Sequence, residues 1–160
     1  MKKSIFSLCI AFTAALTLIG CNKTADTRVD VAGVSISTLD GHKFEKTEMM
    51  GKTVYVATLD PKGGFAANVN ILLDEIKGTL PELDEYLKLS MSQYQTFGAK
   101  VQVQDKTESA TMISGSMGEL KLYQRVFRDS AKNRFIVVTG TYKEDSDKAI
   151  IEKCVDNAEL

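Results

Sequence analysis

Apolar and polar residues follow two periods along the chain from residue 31 onward. Val34-Ser35-Ile36-Ser37 changes face at every residue and predicts a short strand. Leu39-Asp40-Gly41-His42 carries the Asp-Gly signal of a tight turn, and Lys43 to Thr47 is expected to return as an edge strand. Thr53-Val54-Tyr55-Val56-Ala57-Thr58-Leu59 is rich in β-branched residues and predicts a firmer strand. The cluster Asp60-Pro61-Lys62-Gly63-Gly64 closes it as a turn. In Phe65 to Leu73, Val69, Ile71 and Leu73 share one face and Asn68 and Asn70 the other, so a strand with a partly wet second face is expected.

The period then lengthens. Leu83, Leu87, Met91 and Tyr94 recur at three- and four-residue steps and predict a helix. Thr79 is expected to cap it, Pro81 to occupy its first turn, and Glu82, Asp84 and Glu85 to complement its positive end. Gly98 is expected to stop it. Period two returns in Lys100 to Gln104, with Ala110 to Ile113 as its continuation past a turn or bulge. Ser114-Gly115-Ser116-Met117-Gly118 reads as a turn, Glu119 to Phe127 as a strand, and Asp129 to Asn133 as another turn. Arg134 to Tyr142 is apolar on both faces in its first half and should lie centrally. A last helix from about Asp145 presents Ile151, Cys154, Val155 and Ala158 inward. Strands, a long helix, strands and a helix make an α+β fold: a largely antiparallel β-sheet with a long central helix and a C-terminal helix packed on it.

The first 20 residues follow a different rule. Lys2 and Lys3 precede an uncharged run from Ile5 to Ile19, the pattern of a secretory signal. The run is shorter than the roughly 20 residues that cross a bilayer comfortably. It ends in Leu18-Ile19-Gly20-Cys21, which resembles the lipobox of bacterial lipoproteins. That resemblance implies cleavage between Gly20 and Cys21 and acylation of Cys21, with membrane attachment through the acyl chains. Asn22, where Asp would imply inner-membrane retention, favours the outer membrane facing the periplasm. The expected organisation is a signal at 1–20, a flexible tether at 21–30 and a single α+β domain at 31–160.

Removing Lys2 and Lys3 leaves 18 basic against 21 acidic side chains, a net charge of −3 with the one His neutral. A nucleic-acid partner normally requires a basic surface, so none is expected. Of the three cysteines, Cys9 would leave with the signal and Cys21 would be acylated. Cys154 then stands alone, and no disulfide framework is expected.

Phe65-Ala66-Ala67-Asn68-Val69-Asn70-Ile71, then a helix led by Leu83-Asp84-Glu85-Tyr86, then paired strands and a closing helix resemble the PsbP-like superfamily. Within it the chain is similar to the DcrB-type and LpqN-type bacterial lipoproteins. The resemblance spans roughly Val34 to Ala158. Many relatives carry a Pro and a Trp after the first strand, and this chain has no Trp. The resemblance implies a scaffold for protein–protein contacts, with no catalytic residues to carry over.

The residues themselves suggest no enzyme. His42 is the only histidine and lies in a predicted turn, which supplies neither a catalytic triad nor a zinc site, and no metal or other cofactor is expected. Cys154 on an apolar helix face reads as a packed thiol. Asp60 to Gly64 lacks the setting of a phosphate loop, and Glu144, Asp145 and Asp147 read as a helix start rather than a calcium site. Lys121, Arg125, Arg128, Lys132 and Arg134 gather near one predicted hairpin, with Tyr123 on the side of Lys121 and Arg125. The run reads first as a solvated sheet face; the sharper reading makes Lys121, Tyr123, Arg125 and Arg134 the candidate partner surface, for an acidic partner or anionic lipid headgroups, with Asn68 and Asn70 as a second candidate that could equally be hydrogen-bonded beneath a loop. The expected partner is an unidentified envelope protein. The alternative is a small ligand held in a cleft between sheet and helix.

Overall fold

The computed structural model describes residues 27–62 and 64–160. The leader, Cys21 and the tether up to residue 26 lie outside the described residues. Among the described residues, nine strands and two α-helices follow one another: β1 (Arg28–Val31), β2 (Val34–Ser37), β3 (Glu45–Met49), β4 (Lys52–Thr58), β5 (Asn68–Glu75), α1 (Leu83–Thr96), β6 (Lys100–Lys106), β7 (Ala110–Met117), β8 (Leu120–Asp129), β9 (Arg134–Tyr142) and α2 (Asp145–Asp156). β3 to β9 form one seven-stranded sheet in the order β3-β4-β5-β9-β8-β7-β6, and every neighbouring pair is antiparallel. β1 and β2 form a separate hairpin. This is an α+β architecture.

The order follows from two meanders. β3, β4 and β5 run outward-in; α1 then carries the chain to the far edge, and β6 to β9 return until β9 lies beside β5. β9 is thus central and buried along almost its whole length, as its two-faced apolar run requires. Val69, Ile71, Ile136 and Val138 face one side, where α2 (Ile151, Cys154, Val155) and the β1–β2 hairpin (Val31, Val34, Ile36) close a single core. Leu72, Val126, Phe135 and Val137 face the other side, where α1 contributes Leu83, Tyr86 and Leu87. Each such side chain gains roughly 1.5–3 kcal/mol by leaving water.

Several sequence expectations change for physical reasons. Residues 28–30, assigned to the tether, are strand β1: Arg28 pairs with Ser37, and its guanidinium bonds Ser35 Oγ and Glu159. β3 is an edge strand, but it pairs with β4 and not with β2, whose partner is β1. α1 begins after Glu82, whose extended backbone (φ −66°, ψ 154°) makes no side-chain cap, and Thr79 caps nothing there. Arg128 holds the preceding segment by donating to the carbonyls of Pro81 and Leu80. The inward stripe of α1 is Leu83, Tyr86, Leu87, Ser90 and Tyr94; Met91 is only half-buried. The helix does end at Gly98, with φ +73°. There Ala99 N–H bonds Tyr94 O and Gly98 N–H bonds Gln95 O, the two bonds of a Schellman motif.

Ser114 to Met117 are not a turn but the second half of β7, and the reversal falls on Gly118 and Glu119. Gly115 belongs inside that strand because a Cβ there would strike the Lys100 carbonyl and the Val101 backbone of β6. The second face of β5 is not wet. Asn68 and Asn70 are 4% and 5% exposed on the side that α1 shields.

Candidate partner surface

β8 and β9 place Lys121, Tyr123, Arg125 and Arg134 on the same side of the sheet as α2, through the pairs Tyr123↔Gly140, Arg125↔Val138 and Asp129↔Arg134. α2 packs directly over Gly140, where a Cβ would collide with Ile151 and lie 3.1 Å from Val155 Cγ2. Tyr123 and Arg125 therefore meet the end of α2 rather than solvent. Tyr123 donates its hydroxyl to Asp156 Oδ1 at 2.8 Å, and partial burial and this bond push its phenol up to about 12. Arg125 Nη1 donates to the carbonyls of Asp156 (2.6 Å) and Ala158 (2.8 Å), and its guanidinium sits 5.0 Å from the Phe127 ring centroid. A cation on the last carbonyls of a helix satisfies acceptors and complements the negative helix end.

Arg134 is buried. Its Nε pairs with Asp129 Oδ2 at 2.9 Å, and Nη2 donates to Ala32 O at 3.0 Å, fixing the β1–β2 turn against the sheet. Arg128 points to the opposite face and clamps the approach to α1, with Glu82 as an ion-pair partner at 3.2 Å. Of the five basic residues of this region, only Lys121 and Lys132 are left as exposed cations with no side-chain partner among the described residues. Within the predicted patch, three arginines make bonds inside the fold and two lysines are exposed.

Asn68 and Asn70 lie on the other face of the sheet and do not join this group. Cross-strand register aligns Asn70 with Thr139 and Thr139 with Gln124, and one step along it aligns Asn68 with Thr141 and Thr141 with Leu122. Tyr94 of α1 donates to Gln124 Oε1 at 3.0 Å, and Gln124 Nε2 donates to Thr139 Oγ1 at 2.8 Å. Burial pushes the Tyr94 phenol up to about 12 against the opposing effect of the Gln124 bond. Asn68 Nδ2 donates to Ala66 O at 3.2 Å, but its Oδ1, buried, has no partner among the described residues.

Further along the same face, Lys52 Nζ reaches Asp74 Oδ1 at 2.5 Å, and Tyr86 donates to Asp74 Oδ2 at 3.2 Å. Tyr86 stacks on Phe135 with centroids 3.9 Å apart. Burial first, and the Asp74 charge second, hold its phenol well above the usual range. Sequence reasoning missed this trio. The signal was present: Asp74 shares the β5 face of Asn70 and Leu72, and Tyr86 falls three residues after Leu83.

His42 closes a two-bond backbone bridge with Leu39 across the Asp40-Gly41 turn. Cys154 is buried and donates its thiol to Ser37 O at 3.2 Å. Among the described residues, no three His, Cys, Asp or Glu side chains are grouped to hold a metal ion. None of the described helices is long and apolar enough to cross a membrane. No protein-family model matches the chain, and a comparison with curated proteins finds no match.

Proposed function

We propose that this chain is a lipid-anchored envelope lipoprotein of the periplasm, attached through Cys21, whose PsbP-like domain binds another envelope protein without catalysing a reaction. The observation that carries the reading is Leu18-Ile19-Gly20-Cys21 at the end of an uncharged apolar run. The position of β1 supports it. Arg28 lies seven residues after Cys21, so the link reaches at most about 25 Å when fully extended. A domain so tethered stays close to the bilayer, within range of envelope neighbours. Replacement Cys21→Ser should release the protein from membranes and abolish lipid labelling; wild-type fractionation and labelling would sink the reading. In-cell crosslinking with mass spectrometry would then name the partner. Charge reversal should target Lys121 and Lys132, because reversing Arg125 or Arg134 breaks structural bonds and would report unfolding.

The second reading is a small ligand between sheet and α1. The buried Asn68 Oδ1, without a partner among the described residues, favours it, since a ligand N–H or O–H would complete that acceptor. A thermal-shift screen of amino acids, sugars and short peptides tests this. A ligand at 100 times its Kd should add about 2.7 kcal/mol of stability. No shift across the panel counts against this reading.

A further inference from the structure

The two edges of the large sheet are β3 and β6, and they differ in how they would meet another strand. β6 carries a register shift between Val103 and Asp105. An antiparallel copy centred on Val103 would also set Lys100 against Lys106. β3 has neither defect. It is regular, its residues Glu45 to Glu48 are exposed, and neither Lys46 nor Glu48 makes an ion pair within the chain among the described residues.

We infer that β3 is a self-association edge whose partner is β3 of a second copy, paired antiparallel about Thr47. The hydrogen-bond phase comes from the β3–β4 turn. Met49 pairs with Lys52 across the two residues Met50 (φ 51°) and Gly51 (φ 74°), a type I′ geometry that closes on a pair exchanging both bonds. The alternation then turns the backbone groups of Glu45, Thr47 and Met49 toward β4, and those of Lys46 and Glu48 outward. A two-fold axis at Thr47 opposes Lys46 of one copy to Glu48 of the other, twice. Both pairs have their backbone groups available to exchange, giving four new backbone bonds. The same two pairs set opposite charges directly across, on one face of the joined sheet. Charges on an edge strand repel most other strands, and this sequence is complementary to itself. Five residues per copy cover far less than the roughly 1,000 Å² of a stable interface, so the pairing is transient and must be trapped.

Cysteine trapping tests it. In intact cells expressing the full-length chain, a membrane-permeant thiol oxidant such as diamide should give Thr47→Cys a disulfide dimer above the wild-type background. The two Thr47 Cα atoms would lie about 4.5 Å apart, within disulfide range. Glu45→Cys should give none, because its copies would lie roughly 13 Å apart, four residues along the strand. Adding Lys46→Glu to Thr47→Cys should lower the dimer yield on the order of ten-fold, since like charges then oppose twice. Adding Glu48→Lys as well should restore it. The inference is overturned by the absence of a Thr47→Cys dimer, by equal yields at positions 45 and 47, or by failure of the double exchange to rescue.

Discussion

Arg125 distinguishes a surface made for contact from a surface that holds the fold. Arg125→Ala removes two charge-assisted bonds to the carbonyls of Asp156 and Ala158, a cation at the end of α2, and the stacking on Phe127. Bonds to charged groups contribute roughly 1.5–3 kcal/mol when buried, and a helix-end cation about 0.3–1 kcal/mol. Arg125 is half-exposed, and water replaces part of each bond, so the net loss should be about 2 kcal/mol. For a domain of this size that lowers Tm by on the order of 8 °C. Arg125→Lys keeps the charge but not the forked geometry, and should fall between. Lys121→Ala, four residues earlier on the same face, should stay within about 0.5 kcal/mol of wild type. Urea unfolding followed by circular dichroism measures all three, with constant m-values showing that only stability has changed. If Arg125→Ala and Lys121→Ala unfold together at the wild-type midpoint, Arg125 is not the cap of α2, and the basic patch regains its standing as a contact surface.

Other outcomes follow from single contacts. Gly140→Ala drives a methyl group into Ile151 and should cost about 1–3 kcal/mol by urea unfolding, with stabilisation as the contrary result. The Tyr94 phenol ordinarily ionises near 10 and is raised to about 12 in the fold, so its contribution is complete below pH 10 and is lost as pH rises from 10 to 12. That loss is roughly 3 kcal/mol for this residue, and Tyr94→Phe should flatten the alkaline limb of a stability–pH profile. Asp74→Ala leaves Lys52 facing a buried site and removes the Tyr86–Asp74 bond, and should destabilise by about 3 kcal/mol or more, measured in urea at pH 7.

What the sequence displayed, and what it hid, divides along physical lines. Periodicity located β4, β5, β8, β9 and both helices because their packing faces are apolar and regular. Gly98 and the Asp40-Gly41 turn were legible because each requires a backbone conformation that few residues adopt. Pairing was not legible. Nothing in Val34 to Ser37 says that its mate precedes it, and β1 looks like tether because Arg28 and Asp30 continue the polar run that begins at Asn22. Gly115 read as a turn because a glycine marking close approach of two strands looks the same in sequence as one marking a reversal. The candidate surface was only partly legible for a related reason. Alternation correctly put Tyr123 and Arg125 on one face, but it could not show that α2 ends on that face. Asn68 and Asn70 looked partly wet because polar residues usually are, and periodicity alone does not show that their face of β5 is covered.

Membrane attachment through Cys21 is tested most directly by the mass of the amino-terminal tryptic peptide of protein purified from membranes. Cleavage before Cys21 and acylation predict a peptide that begins at Cys21, ends at Lys23, and carries a diacylglyceryl group on sulfur. An unmodified Cys21, or a chain whose first residue lies elsewhere, would contradict it.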